Sequence, residues 1–282
     1  MTIFADAAIE RFVLDSRVAG PPLSVAQLRQ GSRDRAHLRP KGPAMPARDE
    51  VAGGVAVRVF EQESKTRLVY LHGGGFVLGG LDTHDALCRR IAAATRTTVV
   101  AVDYRLAPEH PYPAAVDDAL AVIDWAAGLG PVAVGGDSAG AFVAVLAARR
   151  SPAPLTAQIL LCPLLDVTFD QPSAEEFGSG FTLDMPAHRD WVAAWAGEAH
   201  AVPNPLLFDL DGMPPALIVA AELDPLRDSA TRYAARLADH GIDATYRVEP
   251  GMVHNFSTIV HLSAAAAAAD ARFLTDTVAL IR

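Results

Sequence analysis

Apolar residues arrive along this chain in two rhythms. Short unbroken runs rich in Val, Ile and Leu occupy 55–60, 68–71, 98–102, 132–135, 157–161, 216–221 and 245–248. Several show no alternation with polar residues, as expected of strands covered on both faces. Between many of them, apolar positions recur every three or four residues, over 83–95, 114–127, 139–150 and 228–240. That spacing predicts helices with one buried stripe. Strands alternating with helices predict an α/β architecture around a mostly parallel sheet, with the helices as crossovers.

Two segments break the rhythm. Residues 1–50 hold a short amphipathic pattern (Ile3, Phe4, Ala8, Ile9, Phe12, Val13), then a stretch rich in Pro and Arg. Residues 166–210 carry Phe177, Phe181, Trp191 and Trp195, and are too long for a structureless loop in a compact domain. Both are expected to form helical cover over one end of the sheet. The organisation expected is one domain over 1–282, with 1–50 as an N-terminal cap segment and 166–210 as a cap insert.

Composition narrows the function. A chain of 282 residues, 51% hydrophobic, can bury a sizeable core. A formal charge of −9 disfavours nucleic acid or an anionic membrane as partner. The two cysteines, Cys88 and Cys162, fit neither a disulfide framework nor a metal cluster and read as small buried hydrophobes. "MTIFADAAIERFVLDSR" has acids inside its apolar run, unlike a signal peptide, and no apolar stretch reaches membrane-span length. The expectation is a cytoplasmic protein. The six alanines 264–269 read as a helix capped by Ser263 and stopped by Asp270.

Chemistry first shows in "RLVYLHGGGFVLGG", residues 67–80, where glycines directly follow a strand. Bare backbone at that point suits an anion lying close to peptide N–H groups. A P-loop fails, because Leu81 stands where its lysine must be. A dinucleotide fingerprint counted from Gly73 fails at Leu78. An oxyanion hole survives, its N–H groups awaiting charge that develops only in a transition state. It requires a nucleophile, and Gly136-Asp137-Ser138-Ala139-Gly140 supplies Ser138 on a strand–turn–helix.

Acid and base should follow in chain order. The run "ALIVAAELDPLRDSA" offers Glu222, Asp224 and Asp228; Asp224 falls in the turn just after the strand, before Pro225, and is the best placed. Asp228 suits the first turn of the next helix. Of nine histidines, His37, His188 and His200 lie in the cover segments; His84, His240 and His261 look helical or flanking; His110 sits among prolines. His72 precedes the glycines and is expected to shape that loop. His254 alone follows the acid in a loop after a late strand, which makes it the general base.

With these pieces in order, the chain resembles the hormone-sensitive-lipase-like carboxylesterases of the α/β-hydrolase fold. The resemblance rests on "HGGGF" at 72–76, "DYRLAPEHPYPAA" at 103–115, "GDSAG" at 136–140, "DPLRD" at 224–228 and "GMVHNF" at 251–256. It implies nucleophile Ser138, acid Asp224 and base His254, with oxyanion donors from the backbone N–H of Gly74, Gly75 and Ala139. It implies no metal or organic cofactor. Phe76, Trp191 and Trp195 are expected to line the substrate pocket. Ser229-Ala230 replace the Glu-Gly often found in such enzymes, and Asn255 replaces a glycine.

The activity expected is hydrolysis of short-chain, neutral carboxylic esters, since no basic cluster stands out for an anionic substrate. A dedicated acetyl hydrolase or deacetylase of a specialised metabolite would use the same residues. A ligand-binding protein on the same scaffold is the alternative of another class. The oligomeric state is left open, a homodimer included.

Overall fold

The computed structural model describes residues 3–17, 23–198 and 202–281. His200, assigned above to the cover, lies outside the described residues. The apolar runs form one sheet of eight strands: β1 (Ala47–Ala52), β2 (Val55–Phe60), β3 (Arg67–Leu71), β4 (Thr98–Val102), β5 (Val132–Asp137), β6 (Leu155–Leu161), β7 (Ala216–Leu223) and β8 (Ala244–Val253), in the order β1-β2-β4-β3-β5-β6-β7-β8. β2 is antiparallel to both β1 and β4, and every pair from β4 to β8 is parallel.

The absence of alternation in β4 and β5 is explained by cover on both faces. Val100, Val102, Val132 and Val134 point into one core, and Val99, Ala101 and Ala133 into the other. The first core is closed by α4 (Ala114–Ala127), α5 (Ala139–Arg150) and α8 (Arg227–Asp239). The second is closed by α1 (Ala7–Ser16), α3 (Leu81–Thr95) and α9 (Ala264–Ile281). In α5 every residue from Ala139 to Ala147 is buried, which holds the element after β5 rigidly in place.

Three sequence expectations are refined. The alanine-rich helix starts on Ser263, whose hydroxyl accepts the Ala266 N–H at 3.0 Å, but it does not stop at Asp270. That carboxylate stays inside α9, where Arg90 pairs with it at 2.8 Å and offsets its burial. The N-terminal segment is not cover alone, since Ile9 and Val13 of α1 enter the second core. Beyond α1, the Pro/Arg-rich stretch holds a second helix, α2 (Val25–His37), and the edge strand β1. The 166–210 insert contributes α6 (Pro172–Glu176) and α7 (Met185–Ala196).

Candidate active site

The loops that follow β3, β5, β7 and β8 leave the same edge of the sheet, at the carboxyl ends of parallel strands, where open α/β sheets place their ligands. They carry the glycines, Ser138, Asp224 and His254. Ser138 has φ 53° and ψ −123°, a conformation non-glycine residues rarely hold. Close packing sustains it: a Cβ at Gly136 or Gly140 would collide with the Leu71 carbonyl oxygen. Both glycines of the pentapeptide are therefore needed for the turn to press against β3.

The structure brings the three separated side chains into one line. The Ser138 hydroxyl donates to His254 Nε2 at 3.0 Å. On the other side of the ring, Nδ1–H donates to Asp224 Oδ2 at 2.8 Å. The remaining Asp224 oxygen accepts the Leu226 N–H at 2.9 Å, fixing the carboxylate in its turn. All three residues are buried. The neighbouring acids are used elsewhere. Glu222 accepts the Gly251 N–H at 2.7 Å, and Asp228, in the first turn of α8, accepts the Ser173 N–H at 2.9 Å.

Gly74 and Gly75 have φ of +131° and +61°. Among the described residues their N–H groups donate to nothing, while the Gly74 carbonyl is tied back by the Leu78 N–H at 2.8 Å. The Ala139 N–H opens α5 and is one of the amides that no helix carbonyl takes. The adjoining Gly73 N–H donates to Asp137 Oδ1 at 3.1 Å, which fastens the glycine loop to the nucleophile turn.

Asp137 and His84 belong to this site, and their roles were not read from the sequence. Asp137 precedes Ser138, is fully enclosed, and accepts from Tyr70 Oη at 3.0 Å and from His84 Nε2 at 3.1 Å. Burial would raise its pKa, but His84 and Tyr70 outweigh that and hold the carboxyl below its ordinary value. His72 stays neutral: burial, then His84, push it down to about 3. Its ring stacks on Tyr104 at 4.2 Å, so it shapes the loop as expected. The second part of "DYRLAPEHPYPAA" is anchored by Arg105, paired with Asp118 at 2.7 Å. His84 could have been suspected as a polar residue on the buried stripe of α3. Asp137 carried no signal beyond its motif.

Two aromatic assignments are corrected. Trp195 is fully buried, stacked on Phe76 at 4.2 Å and crossing Phe142 edge-on at 5.5 Å. These flat surfaces are most stable against one another, so Trp195 and Phe76 join the core and do not line a pocket. Trp191 alone of the three remains partly exposed, and its ring covers Gly75 so closely that a Cβ there would strike it. His188, 5.0 Å from Trp191, is pushed down to about 4 by burial and then by His254. Asn255, where a glycine was noted as usual, holds φ 56°, a left-handed conformation that Asn tolerates best after Gly.

A cleft of about 280 Å³ opens over the site, walled by Gly73, Gly74 and His254 below and by Phe12, Ser32 and Arg39 above. A larger cavity, about 470 Å³, lies between the end of α2 and α3 and touches none of the three aligned residues. Cys162, Asp224 and His254 place three potential metal-ligating atoms within 4.8 Å of one another. The chemistry is unfavourable for a metal: burial and then Asp224 raise the Cys162 thiol well above its ordinary pKa, and the other two groups are already bonded together.

Known proteins resemble this chain in sequence and fold. A model of the alpha/beta hydrolase fold family matches residues 68–258. Esterase LipI of Mycobacterium tuberculosis (strain ATCC 25618 / H37Rv) is 38% identical over 272 residues, covering 85% of this chain and 82% of that one. Carboxylesterase NlhH of the same strain is 41% identical over 228 residues, covering 73% and 71%. The crystal structure of an esterase from the bacterial hormone-sensitive lipase family superposes with a TM-score of 0.91 at 26% identity, over 100% of both chains. From the glycine loop to the last strand, the chain belongs to the alpha/beta hydrolase fold family, in its hormone-sensitive-lipase-like branch of carboxylesterases.

Proposed function

We propose that Ser138 is the nucleophile of a carboxylic ester hydrolase, with His254 as general base and Asp224 as the group that orients it. The observation that carries the assignment is the unbroken Ser138–His254–Asp224 chain of hydrogen bonds, 3.0 and 2.8 Å long. Asp224 fixes the tautomer that leaves Nε2 free to accept, so His254 takes the hydroxyl proton as Oγ attacks the ester carbonyl. The carbonyl oxygen becomes an anion within reach of the N–H groups of Gly74, Gly75 and Ala139. One such donor typically contributes about 3 kcal/mol to the barrier reduction. Collapse of the tetrahedral intermediate expels the alcohol, protonated by His254. Water then attacks the acyl-enzyme by the same route, and Ser138 recovers its proton.

Short acyl chains and neutral esters are the basal substrates in this reading. Support comes from the modest cleft and from Trp191, which walls off the space over Gly75. A cytoplasmic location belongs to the same reading. No described helix is long and apolar enough to cross a membrane.

The test is labelling with a fluorophosphonate, with p-nitrophenyl acetate turnover alongside. Wild type should label at Ser138 and turn over the ester. Ser138→Ala should keep its circular dichroism spectrum and lose kcat by at least about 10³-fold. An unlabelled wild type, or an active Ser138→Ala, removes the nucleophile assignment.

A further inference from the structure

We propose that Arg35 and Arg39 form an anion-binding subsite at the mouth of the cleft, so that the enzyme takes esters carrying a second, ionised group as well as plain neutral ones. The proposal rests on the esterase reading and adds a substrate class to it.

Both arginines line the cleft that Gly74 and His254 also line. Several neighbouring arginines are matched to acids. Arg29 pairs with Glu109, Arg58 with Asp49, Arg89 with Asp85 and Arg90 with Asp270, at 2.6 to 2.8 Å. Among the described residues, the guanidinium groups of Arg35 and Arg39 have neither an ion pair nor a hydrogen bond. Nothing on α2 relieves them: Asp34 is taken by Gln30, and Arg33 adds a further positive charge.

Arg39 is half-buried while Arg35 is exposed. Burial, then the charge of Arg35, lower the proton affinity of Arg39. His261, close by, is likewise lowered by burial and then by Arg39 and Arg90. A half-buried cation facing a second cation without a carboxylate is costly, in a chain with nine more acidic than basic charges. An arriving anion removes that cost and finds two planar donors suited to a carboxylate or phosphate.

Size sets the spacing. A compact cavity of about 280 Å³ is roughly 8 Å across, so an anion held by the arginines stands a few bonds from a carbonyl at Gly74. That suits the half-ester of a short dicarboxylic acid on the acyl side, or a phosphate on a short alcohol.

The experiment compares matched pairs by acid release. Monomethyl glutarate is set against methyl pentanoate, and 2-acetoxyethyl phosphate against 2-acetoxyethanol, in wild type, Arg39→Gln, Arg39→Lys and the double variant Arg35→Gln/Arg39→Gln. In at least one pair, wild type should prefer the anionic member in kcat/KM. That preference should fall about tenfold in Arg39→Gln and further in the double variant. It should recover partly in Arg39→Lys, which keeps the charge, and 0.5 M salt should weaken whatever preference remains in every chain that keeps a cation there. Circular dichroism spectra of the variants serve as the folding control. A wild type that hydrolyses the neutral esters without preferring either anion overturns the subsite, as does a preference unchanged in the double variant. Failure on the neutral esters would instead strike the esterase reading itself.

Discussion

Acidification should destabilise this protein through two histidines buried in neutral form. Burial and His84 push His72 down to about 3, and burial and His254 push His188 down to about 4, from an ordinary value of 6.5. Once the chain unfolds, both rings regain the ordinary value and take up protons. Stability is therefore complete above pH 6.5 and declines as pH falls below it, until each folded-state pKa is reached. One proton bound only by the unfolded chain is worth about 1.4 kcal/mol per pH unit. At pH 5 each ring therefore costs about 2 kcal/mol, and the pair about 4. The carboxylates held low in the fold, Asp137 and Asp166, have an unfolded value of 3.8 and act below this window. His261, lowered less, adds in the same direction. Urea midpoints at pH 8, 7, 6 and 5 read the slope. In His72→Asn the amide can still donate to the Gly73 carbonyl that Nδ1 reaches at 2.9 Å, and nothing there titrates. His188→Asn does the same against Asp184. Each variant should lower stability at every pH yet remove about half of the slope between pH 6 and 5. A double variant with the wild-type slope would refute the reasoning.

Two further outcomes are expected at the site. Gly75→Ala puts a side chain at φ +61° and into the Trp191 ring, so kcat for p-nitrophenyl acetate should drop about 10²-fold through a displaced oxyanion donor. Trp191→Ala in the same chain should restore part of it, and a wild-type kcat in the single variant would contradict the placement of that ring. Asp137→Asn can still accept from Gly73 and Tyr70 and should keep most of kcat. Asp137→Leu orphans both donors, each at about 1–3 kcal/mol, and should lose kcat together with thermal stability. Equal activity in the two variants would show that the carboxylate does not hold the loop.

The sequence announces what depends on burial or on chain order. β4 and β5 are buried along their full length, so their composition betrays them. The serine turn is readable because only glycine fits on either side of it. Elements stabilised mainly by local bonds were silent. α2 buries no residue, so the apolar period has nothing to record; its one cue was the capping box between Ser24 and Gln27. β1 is largely exposed and exists by pairing with β2 in register. Partnerships between distant side chains were silent too. Neither the burial of Asp270 with Arg90 nor the inward turn of Trp195 follows from spacing along the chain.

The glycine loop and the serine turn are one mechanical unit because a single buried carboxylate bonds to both the loop and the strand beneath it. Asp137 is the residue before Ser138, and one of its oxygens takes both the Gly73 N–H and the Tyr70 hydroxyl of β3. Its other oxygen faces His84, and a Cβ at Gly73 would strike that oxygen. The first glycine of the triplet therefore has a different purpose from the next two. Gly73 lets the loop approach Asp137, whereas Gly74 and Gly75 leave their amides unspent for the substrate oxygen. An oxyanion hole is effective only if its donors need no rearrangement when charge develops. Here that rigidity is supplied from below, by a charge the substrate never meets.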